Sequence, residues 1–160
     1  MSVVEKLAGH EDDMMKEIQN VQDLMAKSAI GKKMMEESVA MASTAEMNAL
    51  MVLLGNPDVS EQERMLLAQY MGEMLKRDPV NGMVMFSEYL KKTAADPQYA
   101  ARRDYYLEGS AAALAVSNSP AYKSYIVSYK AFEDDKSEEA RVAREATESM
   151  QAKMRKWAEV

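Results

Sequence analysis

The stretch Met34–Leu54 reads MMEESVAMASTAEMNALMVLL, and its second half decides the fold class. From Met47 to Leu54 every residue except Asn48 is apolar, so a helix here has no polar face to turn to solvent. It is expected to be enclosed by other elements, with Met47, Leu50, Met51 and Leu54 in the core. Gly55 is placed to end it in the left-handed conformation, and Pro57 prevents its resumption. Upstream the helical pattern runs back to about residue 13. One rod of about 40 residues would span about 60 Å, more than the width of a small domain. A break is therefore expected near Gly31.

Helices continue downstream. Ser60 and Glu63 form a capping box, and Leu67, Tyr70, Met71 and Met74 then recur at helical spacing, giving an amphipathic helix over 60–77. Asp78–Pro79, Asp96–Pro97 and Ser119–Pro120 each put a capping side chain before a proline at a first helical position. The spacing predicts helices near 79–94, 97–117, 120–133 and 137–158. No segment alternates with period two, so no β-sheet is expected. The fold class read from this pattern is all-α: a single-domain, irregular bundle of five to seven helices over residues 1–160. Residues 1–12 are expected as a mobile lead-in, with Asp12 or Asp13 capping the helix that follows.

Two thin seams flank the chain. Val4, Leu7, Met14, Ile18, Val21 and Met25 keep 3–4 spacing at the N-terminal end, interrupted by Glu11. Ala140, Ala143, Thr147, Met150, Met154 and Trp157 do so at the C-terminal end. Each seam suits one neighbouring helix, whether the other terminal segment or another chain. In between, Ala100, Leu107, Ala111 and Leu114 are expected to form the core face of 97–117. Tyr122, Tyr125, Tyr129 and Phe132 make an aromatic stripe that reads as core.

Composition narrows the function. The 160 residues contain no cysteine, so disulfides and thiolate chemistry are absent. A net charge of −6 disfavours a nucleic-acid partner held by bulk attraction to phosphate. No apolar run approaches the ~20 residues of a membrane span, and no Sec signal opens the chain. A cytoplasmic protein with no membrane partner is expected, export without a Sec signal remaining compatible. His10 is the only histidine, which removes two-histidine metal sites, and as a base for a serine nucleophile it lies in the N-terminal stretch expected to be mobile, with no elbow motif nearby. Glu11–Asp12–Asp13 reads as a solvated cap. Met71 with Met74, or Met83 with Met85, read as core filling rather than copper(I) ligands. With no Gly-rich phosphate loop either, the expectation is a non-enzymatic protein without cofactor or metal.

Recognition remains. Tyr99 and Tyr106 are seven apart with Arg102 and Arg103 between them, a pairing of aromatic faces and guanidinium groups that suits an anionic or aromatic ligand, or a protein hot spot. Sixteen methionines supply surfaces that repack around varied apolar partners. The reading is a regulator, adaptor or secretion-type chaperone that binds an amphipathic or apolar segment of another protein. Its candidate partner-binding residues are Tyr99, Arg102, Arg103, Tyr106, Met150, Met154 and Trp157, and self-association through the terminal seams is open to it. The alternative is a bundle that holds a small apolar or aromatic ligand.

Overall fold

A computed structural model describes the backbone of residues 3–158 and the side chains of 5–157, which leaves Val4 of the N-terminal seam outside the described side chains. The described chain is all-helical: α1 (Val3–Ala8), α2 (Glu11–Ala26), α3 (Ala29–Ala42), α4 (Ala45–Leu54), α5 (Glu61–Arg77), α6 (Gly82–Ala95), a 3-10 turn (Pro97–Arg102), α7 (Arg103–Asn118), α8 (Pro120–Asp134) and α9 (Glu138–Ala158). Nine α-helices among the described residues exceed the five to seven expected. The excess comes from α1, which lies within the stretch expected as a lead-in and packs on α9, and from breaks that hydroxyl side chains make inside 13–54. Contacts gather the chain into two compact units: Met1–Glu36 with Ser128–Val160, and Glu37–Val127.

The first break lies at Lys27–Ser28, not at Gly31. Ser28 starts α3 by accepting the Gly31 backbone N–H at 3.1 Å on its Oγ. Gly31 is itself helical and buried, and its place is steric. A Cβ there would stand 2.8 Å from the Met25 carbonyl oxygen and 3.2 Å from Phe132 Cε2. The second break is at Ser43–Thr44. Ser43 Oγ donates back to the Val39 carbonyl, and Thr44 Oγ1 donates to Met41 O while accepting the Met47 N–H. Hydroxyls that take over backbone partners in this way end one helix and start the next.

In the unit Met1–Glu36 with Ser128–Val160, the two terminal seams meet each other. α2 packs along α9, and α1 packs on α9 as well. Val21 and Met25 are buried with Phe132, Ala140 and Ala143, the two alanines being fully enclosed and so admitting close approach. Lys153 Nζ reaches Glu17 at 2.5 Å, and Arg144 donates to the Phe132 carbonyl at 2.7 Å while lying 5.7 Å above that ring. Asp12 and Asp13 do not cap α2. The helix starts at Glu11, which places all three acids in its first turn, beside the positive end of the helix dipole. Ser137 caps α9 as read, by accepting the Ala140 N–H at 3.3 Å.

In Glu37–Val127 the most enclosed element is α6. Gly82, Met83, Phe86, Ser87, Leu90 and Ala94 are all buried along one side of it. α7 packs against this side with Tyr106, Gly109, Ser110, Ala113 and Val116, and the two helices exchange hydrogen bonds. Ser87 Oγ donates to Ser110 O at 2.7 Å and Ser110 Oγ donates to Ser87 O at 2.8 Å. Small residues bring the two backbones close enough for this exchange.

The expected core face of 97–117 is therefore corrected. Ala100, Ala111, Leu107 and Leu114 are exposed, the two leucines by 39% and 44%. α4 corrects a second expectation, because it presents only one face to the core. Met47, Leu50 and Leu54 are buried, but Met51 and Val52 are 41% and 67% exposed. Only ten residues long, α4 lies against α7 with slighter contact to α5 and is not enclosed. Gly55 ends it at φ −87°, ψ 8°, outside the left-handed region.

Pro79 also departs from its expected position, because α6 starts three residues later. Asp78 Oδ1 accepts the N–H groups of Val80 and Asn81 and closes a turn ahead of the helix. Asp96 and Ser119 serve as read, accepting the N–H groups of Gln98 and Tyr122. The aromatic stripe of α8 is split between two cores, Tyr122 belonging to one and Phe132 to the other. None of the described helices is long and apolar enough to cross a membrane.

Candidate functional site

The N-terminal turn of α5 and the 3-10 turn Pro97–Arg102 face each other, and their side chains form the most developed polar cluster of the unit. Ser60 caps α5 by accepting the Glu63 N–H at 3.3 Å. The other half of the expected capping box is missing, because the Glu63 carboxylate turns to different donors. Tyr106 Oη donates to Glu63 Oε1, and Arg102 Nη1 pairs with Glu63 Oε2. The Glu63 side chain is 12% exposed and that of Arg102 42%, so a shielded acid anchors a guanidinium that still reaches solvent.

Aromatic rings support the acid from below. Tyr99 and Tyr105 each meet Tyr106 edge-to-face, at centroid distances of 5.5 and 5.3 Å. Tyr105 Oη donates to the Leu54 carbonyl at 3.3 Å, tying this layer to the end of α4. Tyr99, at φ −107° and ψ 17°, kinks the 3-10 turn internally, and Arg102, at −122° and 20°, stands between that turn and α7. Arg64 Nε is buried without a hydrogen-bond acceptor.

Two open clefts flank this cluster. One, of about 380 Å³, is lined by Ser60, Gln62, Glu63, Leu66, Gln98, Tyr99, Ala101 and Arg102. The other, of about 480 Å³, runs from Asn56, Asp58 and Val59 along Ala100–Tyr105. Ala101 and Arg102 line both, so the 3-10 turn stands as a ridge between them. The lining carries three acids, Glu63, Asp58 and Asp104, against two bases, Arg102 and Arg103.

Among the site residues read from sequence, Tyr99, Arg102 and Tyr106 are brought together around Glu63, and Arg103 lines the second cleft. Tyr106 is 2% exposed and holds the site from inside, so it offers a partner no surface. Met150, Met154 and Trp157 lie on α9 in the other unit, half-buried, and Trp157 stacks on His10 at 5.0 Å and 8°. Glu63 escaped the sequence reading. Its capping-box position gave it a sufficient local role, while its side-chain donors come from a distant helix and turn. Among the described residues no group of three or more His, Asp or Glu side chains gathers as a metal site would require.

Burial governs the titration of the tyrosines. It pushes the Tyr106 and Tyr122 phenols up to about 12, and those of Tyr89 and Tyr105 upward. An unfolded phenol titrates near 10. The folded chain thus holds these protons more tightly, and the resulting stability is intact below about pH 10 and falls as pH rises toward 12. Absorbance titration of the phenolates, run beside circular dichroism, is expected to show Tyr106 and Tyr122 ionising only as helix is lost. Ionisation of all eight tyrosines near pH 10 with the helix signal intact would contradict this.

No family model matches the chain, and no curated protein or solved structure is significantly similar to it.

Proposed function

We propose that the chain is a non-enzymatic interaction module that takes an amphipathic segment of a partner protein across the ridge at Ala101–Arg102. One observation carries this reading: Arg102 is fixed by a shielded glutamate yet exposed between two open clefts. A guanidinium held in place before binding loses little side-chain entropy when it donates to a partner, and its planar fork has several donors besides the one on Glu63. Tyr99 and Leu66 supply apolar area beside it. A lining of three acids and two arginines disfavours a free polyanion and favours a peptide, with alternating backbone acceptors and apolar side chains. The openness of both clefts favours it over an enclosed small apolar ligand. A regulator, adaptor or secretion-type chaperone would use such a surface.

The test is selection from a displayed library of amphipathic peptides, followed by affinity measurement of the winners. Arg102→Ala and Tyr99→Ala are each expected to weaken binding by about 2 kcal/mol. Arg102→Lys, which keeps the charge and loses the fork, is expected to behave like the alanine variant. Thermal melts of each variant separate binding loss from unfolding. Winners indifferent to all three substitutions would overturn the assignment.

A further inference from the structure

α7 has two apolar faces, and the fold uses one of them. Opposite the Tyr106–Gly109–Ala113–Val116 side runs a second row, Asp104, Leu107, Ala111, Leu114 and Asn118. Its spacing is 3, 4, 3, 4, the heptad seam of a helix that packs along one other helix. All five residues are exposed, and nothing charged lies between Glu108 and Asn118. The terminal seams, which have the same spacing, are occupied by each other within the chain. Among the described residues this one is exposed at every position of the row.

The order of residues in the row indicates its occupant. It is nearly palindromic about Ala111. Turned over by a two-fold axis through Ala111, the row lays Ala111 on Ala111 of a second copy and brings Leu107 to within one residue of level with that copy's Leu114. Asp104 then faces the neutral amide of Asn118, which can donate to it. At the edges Glu108 comes opposite Ala115, and Arg103 opposite Ser117. No charge meets its like. A parallel pairing would instead set Asp104 against Asp104 at the end of the seam, where like charges repel. The alanine at the axis lets the two backbones approach, and the leucines on each side close over it.

We propose that this chain forms a two-fold dimer through antiparallel pairing of the outer face of α7 with the same face of a second copy. The surface is self-complementary in shape and in charge, as an isologous interface must be. It leaves Arg102 and the terminal seams outside the contact, while its Arg103–Asp104 end borders the second cleft.

Sedimentation over a concentration series is the first measurement, with the wild-type mass expected to rise toward twice the 17.9 kDa of the chain. The double variant Leu107→Glu, Leu114→Glu places four carboxylates across the axis and is expected to remain monomeric. Both leucines are exposed, so the variant should keep the wild-type helix signal and melt cooperatively, its midpoint lower only by the stabilisation that dimerisation gives the wild type. A second measurement is independent of that variant's fold. The chain has no cysteine, so Ala111→Cys places one thiol on the axis facing its symmetry mate. Under mild oxidation it is expected to form disulfide-linked dimer much faster than Val127→Cys, whose site is 68% exposed and off the interface. A wild type that stays monomeric throughout, a folded double variant that still dimerises, or equal cross-linking rates at 111 and 127 would each overturn the proposal.

Discussion

Leu50→Asp is expected to unfold Glu37–Val127, while Met51→Asp one residue later leaves it folded. The contrast follows from burial. Leu50 is completely enclosed with Leu67, Phe86 and Leu90, whereas Met51 is 41% exposed. A carboxylate at 50 must either be buried unpaired or take up a proton, and its side chain also leaves the Leu volume unfilled. The cost is expected to exceed about 4 kcal/mol, enough to exhaust much of a small domain's stability. At 51 the carboxylate reaches water, and the change is limited to about 1 kcal/mol of helix propensity and lost contact. Circular dichroism melts of the two variants decide it. Equal melting midpoints would mean that α4 presents a different face to the core.

The second large effect concerns Gly82. A Cβ there would lie 2.6 Å from the Met74 carbonyl oxygen and 2.8 Å from Leu75 Cα, both backbone atoms of α5 that cannot rotate away. Gly82→Ala is therefore expected to push α5 and α6 apart at their closest point and to cost roughly 3 kcal/mol, the upper end for overpacking. Gly72→Ala is the control. No atom lies within 4 Å of a Cβ built there, and the position is exposed in the middle of α5. Removing the backbone freedom of glycine should stabilise the helix by up to about 1 kcal/mol. Urea denaturation of the pair should move the midpoints in opposite directions. A neutral Gly82→Ala would show that the α5–α6 corner can relax.

Helix starts were legible in the sequence because their signals are local. Ser60, Ser119–Pro120 and Ser137 act on backbone groups within three residues and stand at the helix starts assigned to them, whereas Asp96–Pro97 opens a 3-10 turn and α7 begins only at Arg103. The break at Thr44 had a local signal too, a threonine with Glu46 in the following turn, but the apolar run around it read as continuous helix. Faces were less legible than starts. On α7 the leucines looked like the core side, yet Gly109, Ser110 and Ala113 hold it. What decides the matter is how closely α6 approaches, and Ser87 lies 23 residues away from Ser110. The site shows the same division. Tyr99 and Arg102 were readable as a pair on one flank, whereas Glu63 receives the Tyr106 hydroxyl across 43 residues of sequence. The division into two units left no trace in composition, since its boundaries fall inside α3 and α8 rather than in linkers.

That division sets an order of assembly. Glu37–Val127 is continuous, so every partner it needs has left the ribosome once residue 127 has emerged. The other unit is assembled from both flanks of it, and α2 waits for α9 with the whole of Glu37–Val127 synthesised in between. At about 5–20 residues per second, Val21 and Met25 remain uncovered for on the order of ten seconds after they appear. During that interval the seam of one nascent chain is open to the α9 of a finished neighbour. Exchange of α9 between chains is thus the misassembly to which this topology is most susceptible, and crowded synthesis on one message is the setting that favours it.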